Sequence, residues 1–269
     1  MMNILALAAA VSAGPIVSGE WLQAHLNDPQ VRVIYIGDAG DYQKAHIPGA
    51  RLLDHMDTVA MGANGHRLAA NDVLQRALVK AGAADGVRIV LCGDSPMATG
   101  WVNTAIAAIG HGDDVSWLDG GMPTWIAEKR PTSTDAPAPG AGPLTIKPTT
   151  AFIVDAAWVK ARLDPSQTKT RVLDVRTTGE WNNGHLPNAT FILWQDLFTD
   201  VRTQKFKSLD DIKALVTKAA GQDHDVVTYC AVGMRASLMY WAAKSAGVPA
   251  HLYLSSWQDW NNGSNPVSR

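Results

Sequence analysis

One segment of this chain carries residue types that could do nucleophilic chemistry: Tyr229-Cys230-Ala231-Val232-Gly233-Met234-Arg235. An apolar run ends in a cysteine, and four residues, one of them a glycine, separate it from an arginine. A strand that stops at a cysteine and turns tightly into a helix aims several backbone N–H groups at the sulfur. The positive end of the helix adds to that nest. Together they favour a thiolate and lower the cysteine pKa, which makes the sulfur nucleophilic at neutral pH. Gly233 supplies a φ that other residues resist, and Arg235 adds a fixed charge or pins the loop. A lone strand-terminal cysteine is more often a small buried hydrophobe. The full C-x-x-G-x-R pattern, in a repeated unit with a matched His-Leu-Pro upstream, favours chemistry here.

The elements that must position Cys230 occur twice. The first half has Val31-Arg32-Val33-Ile34-Tyr35-Ile36-Gly37, then Tyr42-Gln43-Lys44-Ala45-His46-Ile47-Pro48-Gly49-Ala50. The second has Arg171-Val172-Leu173-Asp174-Val175-Arg176, then Trp181-Asn182-Asn183-Gly184-His185-Leu186-Pro187-Asn188-Ala189. Arg88-Ile89-Val90-Leu91-Cys92 matches Val226-Val227-Thr228-Tyr229-Cys230, and the His-to-Cys spacing is 46 in one half and 45 in the other. The pattern predicts helices over 70–81, 100–109, 210–221 and 236–246, and short strands over 115–118 and 251–254. Strands alternating with helices imply an α/β fold: two domains, each a parallel sheet flanked by helices. In such sheets the loops at the carboxyl ends of the strands form the ligand site.

Composition narrows the rest. The chain has 269 residues, 46% of them hydrophobic, with net charge −2 from 23 basic and 25 acidic side chains. There is enough apolar matter for a core and no electrostatic footprint for nucleic acid. Two cysteines, Cys92 and Cys230, exclude a disulfide scaffold and a four-cysteine metal site. No apolar run is long enough to span a membrane. Residues 131–145 contain a turn-rich PTSTDAPAPGAGP stretch and read as a linker between domains over 14–130 and 146–269. Residues 4–13 (ILALAAAVSA) resemble the apolar core and cleavage site of a signal peptide over 1–13, although the usual basic start is missing. They point to a periplasmic or exported protein, with a cytoplasmic location as the alternative.

In sum these motifs resemble the tandem-domain rhodanese family, the thiosulfate and 3-mercaptopyruvate sulfurtransferases. The resemblance covers the chain from about Gly14 to its end. It includes Leu118-Asp119-Gly120-Gly121-Met122-Pro123-Thr124-Trp125 and Tyr253-Leu254-Ser255-Ser256-Trp257-Gln258-Asp259-Trp260. It implies that the second domain is catalytic and the first a silent partner. Cys230 would take the outer sulfur of a donor such as thiosulfate as a persulfide and pass it to cyanide or a thiol, with no metal or organic cofactor. Ala231, Val232, Gly233, Met234 and Arg235 would hold the anionic donor. Arg176, supported by Asp174, would lie near it at the rim of the loop. The expected partners are therefore a small anionic donor and a cyanide or thiol acceptor, for a chain expected to be monomeric.

This sequence departs from the family in three places. Ala231 and Val232 are apolar where thiosulfate enzymes tend to be basic, although thiosulfate remains the expected donor over 3-mercaptopyruvate. Leu254-Ser255-Ser256-Trp257 replaces the usual Asp-Gly-Ser-Trp. The first half has Cys92 where a non-cysteine residue is usual, lacks the arginine after it, and has Tyr35-Ile36-Gly37 where the second has Asp174-Val175-Arg176. Two other readings stay open. A non-enzymatic sulfur-carrier or sensing module is one. A phosphatase or arsenate reductase is the other, disfavoured because such loops place five residues, not four, between Cys and Arg.

Overall fold

The computed structural model describes residues 13–63, 65–137, 142–166 and 168–269. All of the candidate leader except Ala13 lies outside these residues. The first half runs β1 (Ile16–Val17), α1 (Gly19–Ala24), β2 (Val31–Ile36), α2 (Ala39–Lys44), β3 (Arg51–Leu53), β4 (Val59–Gly62) and β5 (Gly65–Leu68). It continues with α3 (Asn71–Lys80), β6 (Arg88–Gly93), α4 (Pro96–Ala108), β7 (Val115–Leu118) and α5 (Gly121–Ala127). The second half runs α6 (Ala156–Lys160), β8 (Thr170–Asp174), α7 (Thr178–Asn183), β9 (Thr190–Phe191), β10 (Phe198–Asp200) and β11 (Lys205–Phe206). It closes with α8 (Leu209–Ala220), β12 (Asp225–Tyr229), α9 (Met234–Ser245), β13 (Ala250–Leu252) and α10 (Ser256–Asn262).

Two parallel sheets result, ordered β1-β7-β6-β2-β3 and β13-β12-β8-β9. Ile153 pairs in parallel with Leu252, so the second sheet carries a vestige of the strand that β1 supplies in the first. Strands covered on both faces read as near-continuous apolar runs, as VRVIYI and RIVLCG do. Helices 70–81 and 210–221 of the sequence reading correspond to α3 and α8. The cysteine-following helices start earlier than the apolar pattern indicates, at Pro96 and Met234.

The two halves share one core. Residues 98–108 of α4 and residues 236–243 of α9 are buried, so each helix is covered on every side. They pack on each other at Gly100, where a Cβ would stand 2.7 Å from the Leu238 nitrogen. The Trp241 indole N–H donates to Thr104 Oγ1 over 2.9 Å across the same seam. The inner faces of both sheets join a single apolar cluster, while the outer faces form separate clusters. Each half also extends an antiparallel hairpin over the other. In β4–β5, a Cβ on Gly65 would stand 2.7 Å from Gln258 Oε1. In the β10–β11 hairpin, Gln204 donates to the Asp94 carbonyl over 2.7 Å, and Lys205 pairs with Glu128 over 2.8 Å.

The segment between the domains is tied to the first. Ser133 and His46 exchange backbone hydrogen bonds, and Thr145 donates twice to Asp85, at 2.8 and 2.6 Å. His46 and His185, the histidines of the repeated motif, are both engaged in structural contacts. His46 is fully buried, with both ring nitrogens within 3.0 Å of carbonyls, those of Tyr42 and Asp135. His185 stacks on Trp181 at 3.5 Å and pairs its backbone with Ser268.

Candidate active site

Cys230 follows the last residue of β12, and α9 begins four residues later. Between them the chain turns at Gly233, whose φ is +98°. A side chain there is excluded twice. The dihedral is one that L-residues rarely adopt, and a Cβ would stand 2.4 Å from the Leu254 carbonyl oxygen. The turn aims the Gly233 N–H at the Cys230 sulfur, 3.1 Å away. The carbonyls of Cys230 and Ala231 point the opposite way, accepting from Trp257 and Gln258 N–H at 2.9 and 3.1 Å. With the Cys230 and Ala231 oxygens engaged by α10, the Gly233 amide is left to face the sulfur. No side chain caps the start of α9, so the positive end of that helix is open toward the same place.

Ser256 holds the floor. Its hydroxyl accepts the Cys230 N–H over 3.1 Å, donates to the Tyr253 carbonyl over 2.9 Å, and lies 4.0 Å from the sulfur. Ser256 is fully buried with φ +56°, a left-handed conformation that costs a non-glycine residue about 1–3 kcal/mol. Trp101 of the first domain lies against Gly233 from above, 3.1 Å from where its Cβ would be. Cys230 is 1% exposed, while Ala231, Val232, Met234 and Arg235 are half-buried.

Arg235 pins the loop. Its guanidinium grips Glu180 of α7 with two hydrogen bonds of 2.7 and 2.8 Å. Burial pulls the Arg235 pKa down, but the Glu180 hydrogen bond and the charge of the Cys230 sulfur more than offset it, and the net direction is up. Arg235 holds the Glu180 carboxyl down at about 2. Glu180 also completes a capping box with Thr177 at the start of α7.

Arg176 does not lie at the rim of the loop, as the sequence reading placed it. It is 2% exposed and bound to the fully buried Asp174, with Nε 2.9 and 3.0 Å and Nη2 2.6 Å from the carboxylate oxygens. Nη2 also donates to the Gly184 carbonyl over 2.6 Å. The Tyr229 hydroxyl donates to the same carboxylate. Tyr229 belongs to the outer cluster and Cys230 to the inner one, because successive side chains of an extended strand face opposite ways. Arg176 is linked to the loop only through Trp257: its guanidinium lies 4.5 Å from the Trp257 ring centre, and the Trp257 N–H holds the Cys230 carbonyl. Glu180, Ser256 and Trp101 are site residues that the sequence reading did not assign.

The rhodanese-like domain profile matches this chain twice, over residues 18–128 and 155–263. The chain belongs to the rhodanese family. Among similar curated proteins is a thiosulfate sulfurtransferase of Azotobacter vinelandii, 27% identical with 90% of this chain and 92% of the relative aligned. A probable 3-mercaptopyruvate sulfurtransferase of Pseudomonas aeruginosa is also 27% identical, over 93% and 96%. The sulfur carrier protein TtuD of Thermus thermophilus is 26% identical, over 92% and 93%. The crystal structure of SseA from Escherichia coli shares the fold, with a TM-score of 0.79 at 20% identity, covering 91% of this chain and 99% of that one.

Comparing the two rhodanese domains corrects one match made on the sequence. Tyr35 pairs with Cys92 between β2 and β6, and Asp174 pairs with Tyr229 between β8 and β12. Cys92 therefore stands where Tyr229 does, inside the strand and facing the outer cluster with Val33, Tyr35 and Val90. The counterpart of Cys230 is Gly93. Cys92 is 1% exposed, and burial, with Asp94 nearby, raises its thiol pKa well above the ordinary value. Among the described residues no cluster of three His, Cys, Asp or Glu side chains could hold a metal ion, and no helix is long and apolar enough to cross a membrane.

Proposed function

We propose that this rhodanese is a sulfurtransferase working through a persulfide on Cys230, with small donors of the thiosulfate or 3-mercaptopyruvate type and cyanide or a thiol as acceptor. The observation that carries the reading is the Gly233 N–H, 3.1 Å from the Cys230 sulfur at the uncapped start of α9. An amide held there before reaction stabilises a thiolate, and then the negative outer sulfur of a persulfide, without reorganising. In the first half-reaction the thiolate attacks the donor's transferable sulfur, and the donor's remaining part leaves with the bonding pair. In the second, the acceptor takes that sulfur and the thiolate returns, which gives ping-pong kinetics. Because Cys230 is 1% exposed, the half-buried loop side chains or Trp101 must give way to admit the donor.

Intact mass after incubation with a donor tests this directly. A gain of about 32 mass units, lost on adding cyanide and absent from Cys230→Ser, is the expected result. A Cys230 thiol inert to both donors and to alkylating reagents would end the proposal. A gain that survives in Cys230→Ser and vanishes in Cys92→Ser would move the chemistry to the other domain.

A further inference from the structure

The two arginines described around the Cys230 loop, Arg235 and Arg176, are both paired. Arg235, in the first turn of α9 five residues after Cys230, is held bidentately by Glu180. Arg176 is cancelled by the buried Asp174. Three of the four loop residues between Cys230 and Arg235, Ala231, Val232 and Met234, are apolar, and the fourth is Gly233. Resting on the persulfide reading above, we infer that Glu180 is a donor-specificity residue: by neutralising Arg235 beside the sulfur, it sets this site against doubly charged donors.

The two half-reactions differ in the charge they gather. With thiosulfate, the thiolate attacks the outer sulfur, the S–S bond breaks, and sulfite leaves with the bonding pair. A dianion meets a thiolate, and a dianion departs beside a persulfide. With 3-mercaptopyruvate, the thiolate attacks the mercapto sulfur and the C–S bond breaks with its pair moving to carbon. That carbanion takes the mercapto proton, giving pyruvate and the persulfide. Only a monoanion enters and leaves. Backbone amides supply partial charges to either donor, whereas the extra charge of thiosulfate requires a net cation. Glu180 withholds that cation. Its carboxyl, held at about 2 by Arg235, stays ionised throughout the neutral range.

The test compares wild type with Glu180→Gln, a change that keeps a residue suited to the capping box with Thr177. In Glu180→Gln, kcat/KM for thiosulfate should rise about tenfold, equivalent to about 1.4 kcal/mol. The value for 3-mercaptopyruvate should not rise with it; any loss from loosening the loop that Arg235 pins falls on both donors, so the ratio of the two values is the readout. The thiosulfate gain should fade between ~10 mM and ~500 mM salt, because the attraction of an unpaired Arg235 for a dianion approaching through solvent is screened. A merely structural role for Glu180 predicts equal losses with both donors and no salt dependence, and either result overturns the inference. A wild-type kcat/KM for thiosulfate that falls more than about threefold over the same salt range also overturns it, with no variant needed. If neither donor loads sulfur onto wild type, the parent reading fails with it. Sulfur loading without the expected change in donor preference rejects this inference alone.

Discussion

Cys92 occupies in the first rhodanese domain the position that Tyr229 occupies in the second. Both face the outer layer of their sheets, Cys92 as the next-to-last residue of β6 and Tyr229 as the last of β12, and each precedes the turn into the helix, α4 or α9, that packs against the other domain. The two cysteines should therefore behave as different chemical species. At neutral pH, iodoacetamide followed by peptide mapping should label Cys230 while Cys92 stays unmodified. Cys92→Ser should keep sulfur transfer within about twofold of wild type, the small change expected of a buried thiol outside the site. Comparable labelling of both thiols in folded protein would contradict this placement.

Ser256 combines a strained backbone with a needed hydroxyl, and two substitutions separate them. Ser256→Ala keeps the strain at φ +56° and leaves the buried Cys230 N–H without its acceptor. The lost acceptor should cost about 1–3 kcal/mol of stability. Ser256→Gly loses the same acceptor but relaxes the backbone, so its unfolding midpoint should lie above that of Ser256→Ala. Both should lose activity, by about tenfold for one hydrogen bond of about 1.4 kcal/mol. Urea unfolding and kcat/KM on the same preparations check the order. Full activity in either variant would remove the hydroxyl from the site.

The Arg235–Glu180 pair sets a pH dependence of stability. The Glu180 carboxyl falls from its ordinary 4.5 to about 2 in the folded protein, first because of the Arg235 hydrogen bond. A depressed carboxyl adds stability that is complete above about pH 4.5 and disappears as pH falls toward 2. The Glu180 side chain is 33% exposed, so solvent screens part of the effect. Melting curves between pH 5 and 2 should show a shallower acid loss in Glu180→Gln than in wild type. Parallel curves would mean that the pair is already broken in solution.

Short-range patterns made the candidate nucleophile legible. Cys230, Gly233 and Arg235 lie within six residues, and the turn between strand and helix needs all three roles in that order. Long-range partners left no such trace. Glu180 is 55 residues from Arg235, and its position three after Thr177 reads as an ordinary capping box. The near-equal His-to-Cys spacings made Cys92 look like Cys230, although one strand position separates their roles. A shift of one residue reverses the face a side chain points to, and only the pairing of β2 with β6 decides it. Arg176 was misplaced for the same kind of reason, since its motif fixes a strand end but not where the guanidinium goes.

The contact between domains should matter to chemistry as well as to folding. At Gly100 an added Cβ meets backbone atoms of α9, the Leu238 nitrogen at 2.7 Å, the Leu238 Cα at 2.8 Å and the Ser237 carbonyl carbon at 3.2 Å. Backbone cannot rotate away, so Gly100→Val must push α4 off α9, at about 1–3 kcal/mol. Trp101, the next residue, lies against Gly233 and moves with it. Sulfur transfer should therefore fall together with the urea midpoint. Gly179→Ala is the comparison: it sits in α7 with nothing within 4 Å of the new Cβ. It should gain up to about 1 kcal/mol from helix propensity with activity unchanged. If Gly100→Val lowers stability but leaves kcat/KM intact, the first domain only supports the second and Trp101 has no part in shaping the site.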